Sequence, residues 1–308
     1  MIRLNLMAGM GNQMFEYAYA RALSLQYHEK LEINPYFMTL AGVGTGRKGY
    51  FNNVLKCLNL PEEVSFISKK KGYLCGIPDI AEFVILRKYN SGAKLHGEQH
   101  FHRMCERGKI YTDDCFTYYS YVESNAKVKK IIGYYQSEDY FAPYKNQIKR
   151  ELLVKKEPSD RNKEKIEELQ QCNAVCVHIR RGDYVSNKKN EALVVCDEIY
   201  YKRGMDYIAG KVENPVFYVF SDNLQEINWI KENYHFDYDV RYIELNNPDY
   251  EELRLMYQCR HFVIANSTFS WWGAYLSDNE DKLIVAPKIW NKDYSGEIDV
   301  YTQQMVLM

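Results

Sequence analysis

The sequence predicts an α/β protein of two domains, the second built on a parallel, doubly wound sheet. Three observations carry this expectation. Between residues 174 and 286, apolar runs of strand length alternate with stretches of helical spacing, the pattern of a parallel sheet with crossover helices. Three of those runs end in short polar clusters, His178/Arg180/Arg181/Asp183, Ser221-Asp222-Asn223 and Asn266-Ser267-Thr268, which would share the sheet edge where such folds bind ligands. Lys155-Lys156-Glu157-Pro158 interrupts the periodicity just before a capped helix at Ser159 and divides the chain into domains 1–157 and 158–308.

Taken in order, Ile2–Met7 reads as a first strand, and apolar residues at 14, 15, 18, 22 and 25 follow helical spacing. Between them, Gly9-Met10-Gly11-Asn12-Gln13 reads as a strand–turn–helix start with Asn12 as the N-cap, which would aim backbone N–H groups and the positive helix end at a ligand. A plain βα turn explains the same residues. From Tyr36 to Lys130 the pattern is poor. Gly44, Gly46 and Gly49 satisfy G-x-G-x-x-G, but no strand precedes them and no Gly-Lys-Ser/Thr ending follows, so they read as a surface loop. His96, His100 and His102 cluster without a carboxylate or cysteine at ligand spacing and read as a solvated loop rather than a metal site. Ile131–Tyr135 reads as another strand, ending in Gln136-Ser137-Glu138-Asp139, with a helix running on towards Val154. Beyond the linker the expected order is strand 174–179, helix 198–210, strand 216–220, helix 224–233, strand 240–244, helix 249–259, strand 262–265, helix 269–276 and strand 282–286.

The most informative stretch is Ala174–Tyr184, an apolar β-branched run that stops abruptly at polar residues. Two adjacent arginines at a sheet edge are costly without an anion, because a guanidinium is always charged and its donor fork fits phosphate or carboxylate. Gly182 permits a tight turn, and Asp183 can hold an arginine or accept a ligand hydroxyl. A surface ion pair between the arginines and Asp183 is the plainer reading. Asp222 and Ser267 would serve equally as helix caps. Together, however, the three clusters supply cations and hydroxyls for a diphosphate, helix N-termini behind it, and a carboxylate for the N–H donors of a base.

Composition narrows the classes. The 308 residues are 46% hydrophobic, and Lys+Arg 40 against Asp+Glu 41 leaves a net charge of -1, so there is no basic footprint for nucleic acid. Any anion site must be local. The 28 tyrosines exceed what a core needs and suit stacking on bases or sugar faces. No signal peptide or membrane-spanning run is evident. The eight cysteines show no Cys-x-x-Cys or zinc spacing, as expected of reduced thiols in a cytoplasmic protein. The sequon Asn266-Ser267-Thr268 has meaning only in a secreted chain.

Several blocks together resemble a known family. Gly-Met-Gly-Asn-Gln-Met-Phe-Glu-Tyr-Ala (9–18), Tyr-Tyr-Gln-Ser-Glu (134–138), His-Ile-Arg-Arg-Gly-Asp-Tyr (178–184), Phe-Ser-Asp (220–222), Asn-Ser-Thr-Phe-Ser-Trp-Trp-Gly-Ala (266–274) and Ala-Pro-Lys-Ile-Trp (286–290) are similar to those of the α-1,2-fucosyltransferases, glycosyltransferase family 11, and recur in its order. Ala8 stands where a glycine is usual, and residues 36–130 carry no matching motif.

The resemblance implies a GT-B-type α/β fold, two Rossmann-like domains facing across a cleft, with GDP-fucose held mainly by the C-terminal one. It implies inverting transfer of L-fucose to the O2 of galactose in an oligosaccharide or glycolipid acceptor, with no metal or cofactor. It further implies that Arg180 pairs with the donor's β-phosphate, that Arg181 and Asp183 position its loop, and that His178 and Asp222 recognise guanosine. Ser267, Thr268, Phe269 and Ser270 would cradle phosphate, while Gly11, Asn12 and Gln13 would face fucose and phosphates from the first domain. Residues 36–130 would shape acceptor choice. Glu16, Glu138 and Asp139 are the carboxylates available as a general base, and none is singled out. The alternatives are transfer from another GDP-sugar and a catalytically silent sugar-nucleotide-binding protein. The protein is expected in the cytoplasm, with peripheral association at the inner membrane open to it.

Overall fold

The computed structural model describes residues 1–42, 53–89, 97–112 and 115–308; Gly44, Gly46, Gly49 and His96 lie outside them. The chain divides into two units, Met1–Leu153 with Gly296–Tyr301, and Val154–Ser295 with Thr302–Met308. The short segment 296–301, read from the sequence with the second domain, therefore clusters with the first: Asp299 accepts the Tyr118 N–H at 2.7 Å and donates its own N–H to the Phe116 carbonyl at 2.8 Å.

The first unit runs β1 (Ile2–Asn5), α1 (Met10–Gln26), β2 (Leu31–Asn34), α2 (Phe37–Gly42), β3 (Ser65–Phe66), α3 (Lys69–Tyr89), α4 (Glu98–Glu106), β4 (Lys109–Tyr111), β5 (Lys129–Ile132) and α5 (Lys145–Glu151). Its sheet has the order β3-β2-β1-β5-β4 with every pairing parallel. The chain works outward from β1 to β3 and then returns to the other side, so the topological switch lies between β1 and β5.

Helix α1 begins at Met10, not at Asn12. Ala8 turns the chain in the left-handed region (φ 54) and Gly9 is extended. The reversal is thus complete by Gly9, and the Gln13 N–H closes the first turn onto the Gly9 carbonyl at 3.0 Å. Asn12 consequently sits inside the first turn. The helix is buried nearly all round, and its polar side chains are paired accordingly. Tyr17 donates to Glu151 at 2.5 Å, and Arg21 donates to Glu151 at 3.0 and 3.1 Å and to Glu63 at 2.6 Å.

Three sequence expectations for this unit change. His100 and His102 lie on helix α4 rather than in a loop, and His102 contacts the Ser120 hydroxyl at 3.0 Å. The strand expected to reach Tyr135 stops at Ile132, because the backbone turns to positive φ at Gly133 (148°) and Tyr135 (48°). The long helix expected after it is two 3-10 turns, Glu138–Tyr140 and Ala142–Tyr144, before α5; Pro143 has no N–H to give to a continuous helix.

The second unit runs α6 (Asp160–Gln170), β6 (Asn173–Ile179), α7 (Gly182–Ser186), α8 (Glu198–Ala209), β7 (Pro215–Ser221), α9 (Leu224–Asn233), β8 (Val240–Tyr242), α10 (Asp249–Gln258), β9 (His261–Val263), α11 (Thr268–Leu276), β10 (Ile284–Ala286) and β11 (Met305–Leu307). The sheet order is β11-β10-β9-β6-β7-β8, again parallel throughout, with the switch between β6 and β9. The alternation read from the sequence is present, its ends shifted by about a residue or two, the usual latitude in helix and strand limits. Ser159, Asp197 and Asn223 cap α6, α8 and α9. Val175, Val177 and Ile179 bury one face of β6 against Tyr201, Met205 and Ile227. A Cβ on Gly204 would lie 2.7 Å from Val263, so glycine lets α8 close onto β9.

Candidate functional site

Strand register builds the central cluster. Strands β6 and β7 pair from Asn173 beside Pro215 to Ile179 beside Ser221, so Arg180 and Asp222 leave the sheet side by side. Arg180 Nη1 donates to Asp222 Oδ1, and its Nη2 donates to Asp183 Oδ1 at 2.6 Å. The Arg181 N–H donates to Asp222 Oδ2 at 3.0 Å, so both oxygens of Asp222 hold the arginine loop. Gly182 is required by this closeness, since a Cβ there would stand 2.9 Å from the Asp222 carboxyl carbon. Burial pushes the Asp222 carboxyl up, while the Arg180 guanidinium and the Arg181 N–H pull it down.

The two arginines diverge. Arg181 turns towards α9, donating from Nε to Glu226 at 3.0 Å with its guanidinium 3.1 Å from the centre of the Trp229 ring. Arg180 stays at the switch point with the Tyr184 ring 5.3 Å away. Asn190 donates to the Asp183 carbonyl at 2.9 Å and to its carboxylate at 3.3 Å. Tyr184 donates to the Asn266 carbonyl at 3.0 Å, and the Asn266 side chain donates to the Leu193 and Trp290 carbonyls at 2.9 Å each. The ends of β6, β7 and β9 are thereby tied together.

His178 lies in β6 with only 2% of its surface exposed, and its Nδ1 has no hydrogen-bond partner among the described residues. Burial, seconded by the Arg180 charge, drives its pKa down to about 3 and keeps the ring neutral. Its ring centroid is 5.9 Å from that of Phe269. At the start of α11, Ser267 occupies the N-cap but makes no side-chain cap, so the first backbone N–H groups of this nine-residue helix are left uncapped by a side chain. Thr268 and Phe269 are half-buried there. Ser270 is fully buried and donates to the Ala265 and Ser267 carbonyls at 3.2 and 3.1 Å, so its hydroxyl serves the turn.

Gly11, Asn12 and Gln13 belong to the first unit. Gln13 is fully buried, donates to the Ala8 carbonyl at 2.9 Å and accepts the Val54 N–H at 3.3 Å. Asn12 is half-buried and accepts from Gln136 at 2.9 Å, which joins the ends of β1 and β5 at that sheet's own switch point. Of the possible bases, Glu16 is fully buried and accepts the Met7 N–H at 2.9 Å, and burial raises its pKa well above the carboxylate range. It holds the β1–α1 turn. Glu138 lies 3.8 Å from Lys145, and Asp139 is exposed. Among the described residues, no group of three or more His, Cys, Asp or Glu is placed to hold a metal ion.

Sequence reasoning missed Glu226, Trp229 and Asn190, which hold the arginine loop; their only signal is proximity in the fold. It also missed Glu252, a half-buried α10 carboxyl that burial pushes up to about 7, against hydrogen bonds from Asn247.

The fold is that of a two-unit α/β protein with an arginine–carboxylate cluster at the switch point of its second parallel sheet. The model of glycosyl transferase family 11 matches residues 1–306, and the chain belongs to that family. It is 32% identical over 299 residues to an alpha-1,2-colitosyltransferase of Escherichia coli, covering 92% of this chain and 90% of the relative. It is 28% identical over 303 residues to the O-antigen biosynthesis glycosyltransferase WbnK of Escherichia coli, covering 92% and 93%. Against human galactoside alpha-(1,2)-fucosyltransferase 1 the identity is 28% over 162 residues, 49% of this chain and 44% of the relative. The crystal structure of the fucosyltransferase NodZ from Bradyrhizobium superposes with a TM-score of 0.50 at 13% identity, covering 95% of this chain and 96% of that one. The chain is therefore a glycosyltransferase with a GT-B-type α/β fold.

Proposed function

We propose that this enzyme transfers L-fucose from GDP-fucose to the O2 of a galactose-containing oligosaccharide or glycolipid, with inversion and without a metal. The observation that carries the reading is the Arg180 guanidinium, clamped between Asp183 and Asp222 at the switch point beside the α11 N-terminus. Breaking the sugar–phosphate bond builds negative charge on the diphosphate, and a preorganised guanidinium with backbone donors stabilises that charge without reorganising. The two carboxylates fix the plane of the guanidinium fork at the switch point.

Asp183 and Asp222 act as positioning residues, since their oxygens meet the arginine loop. Neutral His178 presents an acceptor or a donor, according to tautomer, beside Phe269, and suits the edge of a nucleobase. Thr268 and Phe269 offer the helix-end amides. The relatives named for α-1,2 transfer support the linkage, and the O-antigen relative supports an oligosaccharide acceptor.

A second donor is favoured by one observation, the colitosyltransferase relative. Colitose is L-fucose without the 3-hydroxyl, so donor choice rests on whether a polar group awaits that hydroxyl; a site built to bond a hydroxyl rejects the analogue lacking it by ~10⁴-fold or more. The test is GDP release by purified enzyme with lactose and EDTA, using GDP-fucose, GDP-colitose and GDP-mannose in parallel. GDP-fucose is expected to turn over fastest, unaffected by EDTA. Preference for GDP-colitose would reassign the donor, and loss of activity restored by Mg²⁺ would overturn the metal-free step.

A further inference from the structure

Helix α3 has an outward face that the transfer reaction does not use. Its inner face is committed: Gly72 and Gly76 lie against Tyr36 and Leu40, and buried Asp79 receives Asn5 and Lys130. On the opposite face Leu74, Ile77, Val84 and Ile85 are 67%, 56%, 52% and 54% exposed. Their spacing places them on one stripe of the helix, with exposed Pro78 and Ala81 between them. Elsewhere among the described residues the exposed large hydrophobic side chains are single residues in separate elements, which needs no explanation.

The charge at one end of the stripe says what covers it. Lys69, Lys70 and Lys71 are all exposed in the first turn, where no acidic residue occurs; Lys71 is paired with Glu32 at 2.7 Å, and Lys69 and Lys70 are the cations left to a partner surface. Cations there oppose the positive end of the helix dipole, so they do not stabilise the helix. The acidic residues of the helix are spent elsewhere, Asp79 on Lys130 and Glu82 on Lys109. An apolar stripe headed by lysines and stripped of outward negative charge fits an interface lined with anionic headgroups. The helix carries too many charged residues to cross a bilayer, and none of the described helices is long and apolar enough to do so.

We propose that the outward face of α3 docks the enzyme on an anionic lipid surface, with Leu74, Ile77, Val84 and Ile85 seated at the acyl boundary and Lys69 and Lys70 on the headgroups. Docking there would bring the enzyme to acceptors carried on lipid. The surface is independent of the arginine cluster, so its failure leaves the donor assignment standing.

The test is cosedimentation of the purified full chain with vesicles of phosphatidylcholine alone or with about a third phosphatidylglycerol. Binding is expected only to the anionic vesicles, weakening several-fold at high salt. Ile77→Glu with Val84→Glu should abolish it, and Lys69→Glu with Lys70→Glu should reduce it at least tenfold. Both pairs should retain wild-type GDP release with soluble lactose, which shows that they fold. No vesicle binding, or binding indifferent to both pairs, overturns the proposal. So does a concentration-dependent dimer in solution that Ile77→Glu with Val84→Glu disperses, because the stripe would then belong to a second copy of this chain.

Discussion

Arg180 is the residue on which the chemistry turns, and its geometry makes Arg180→Lys a sharp probe. An ammonium cannot serve two carboxylates and a phosphate in one plane, so the variant should lose ~10²-fold or more in kcat while folding normally, as expected when a preorganised donor is removed. Steady-state kinetics beside circular dichroism decide it; near-normal turnover would deny Arg180 its role. Backbone geometry supplies two further variants. Ala8 holds φ 54, so Ala8→Gly should cost nothing and stabilise by up to ~1 kcal/mol. Gly133 holds φ 148, and a Cβ there would meet the Thr112 carbonyl at 2.6 Å. Gly133→Ala should therefore destabilise by ~2 kcal/mol or more, a strained backbone with a clash added. Urea denaturation compares the two. At this scale the sequence showed which residues are present but not which way they face. Arg180, Arg181 and Asp183 were legible as an edge cluster, yet only register reveals that both Asp222 oxygens meet the arginine loop and that Arg181 turns to Trp229.

Among elements, α1 illustrates why helical spacing alone understates burial. Its Tyr17 and Arg21 lie outside the apolar positions read from spacing, and both reach Glu151 on α5. Removing that carboxylate leaves a guanidinium 3% exposed with, among the described residues, Glu63 alone opposite. Glu151→Ala is expected to lower stability by ~3 kcal/mol, the cost of a buried charge that loses its partner, and a loss below ~1 kcal/mol in urea denaturation would show that solvent reaches Arg21. Helix α3 was illegible for a related reason. It lies in the stretch from Tyr36 to Lys130 whose pattern is poor, and its Gly72 and Gly76 are the contact face that lets α3 approach Tyr36 and α2. The elements of the second unit were legible because their apolar runs alternate cleanly. The edge strand β11 was missed because three half-exposed residues carry no periodic signal.

For the molecule as a whole, pH dependence offers a readout of the buried site. His178 titrates near 6.5 when unfolded and near 3 when folded. Between those values the unfolded chain binds the extra proton, so stability falls as pH drops through this window and levels off below it. From pH 7 to 5 this group should remove ~2 kcal/mol. The raised carboxyls Glu16 and Glu252 act in the opposite sense, so the comparison must be with His178→Asn, which should lose ~2 kcal/mol less than wild type over that interval. Equal losses would mean the imidazole is not held neutral. The two units divide between Leu153 and Val154, ahead of the Lys155–Pro158 break, and the passage of 296–301 to the first unit was not legible, since short loop contacts leave no pattern in composition.

The most direct measurement is the linkage, by nuclear magnetic resonance, of the product formed from GDP-fucose and a galactose-terminated acceptor. A single α-fucosyl group on galactose O2 is the expected product. A β-linked product, attachment at another hydroxyl, or no fucosyl product while a different GDP-sugar is transferred would contradict the proposed reaction.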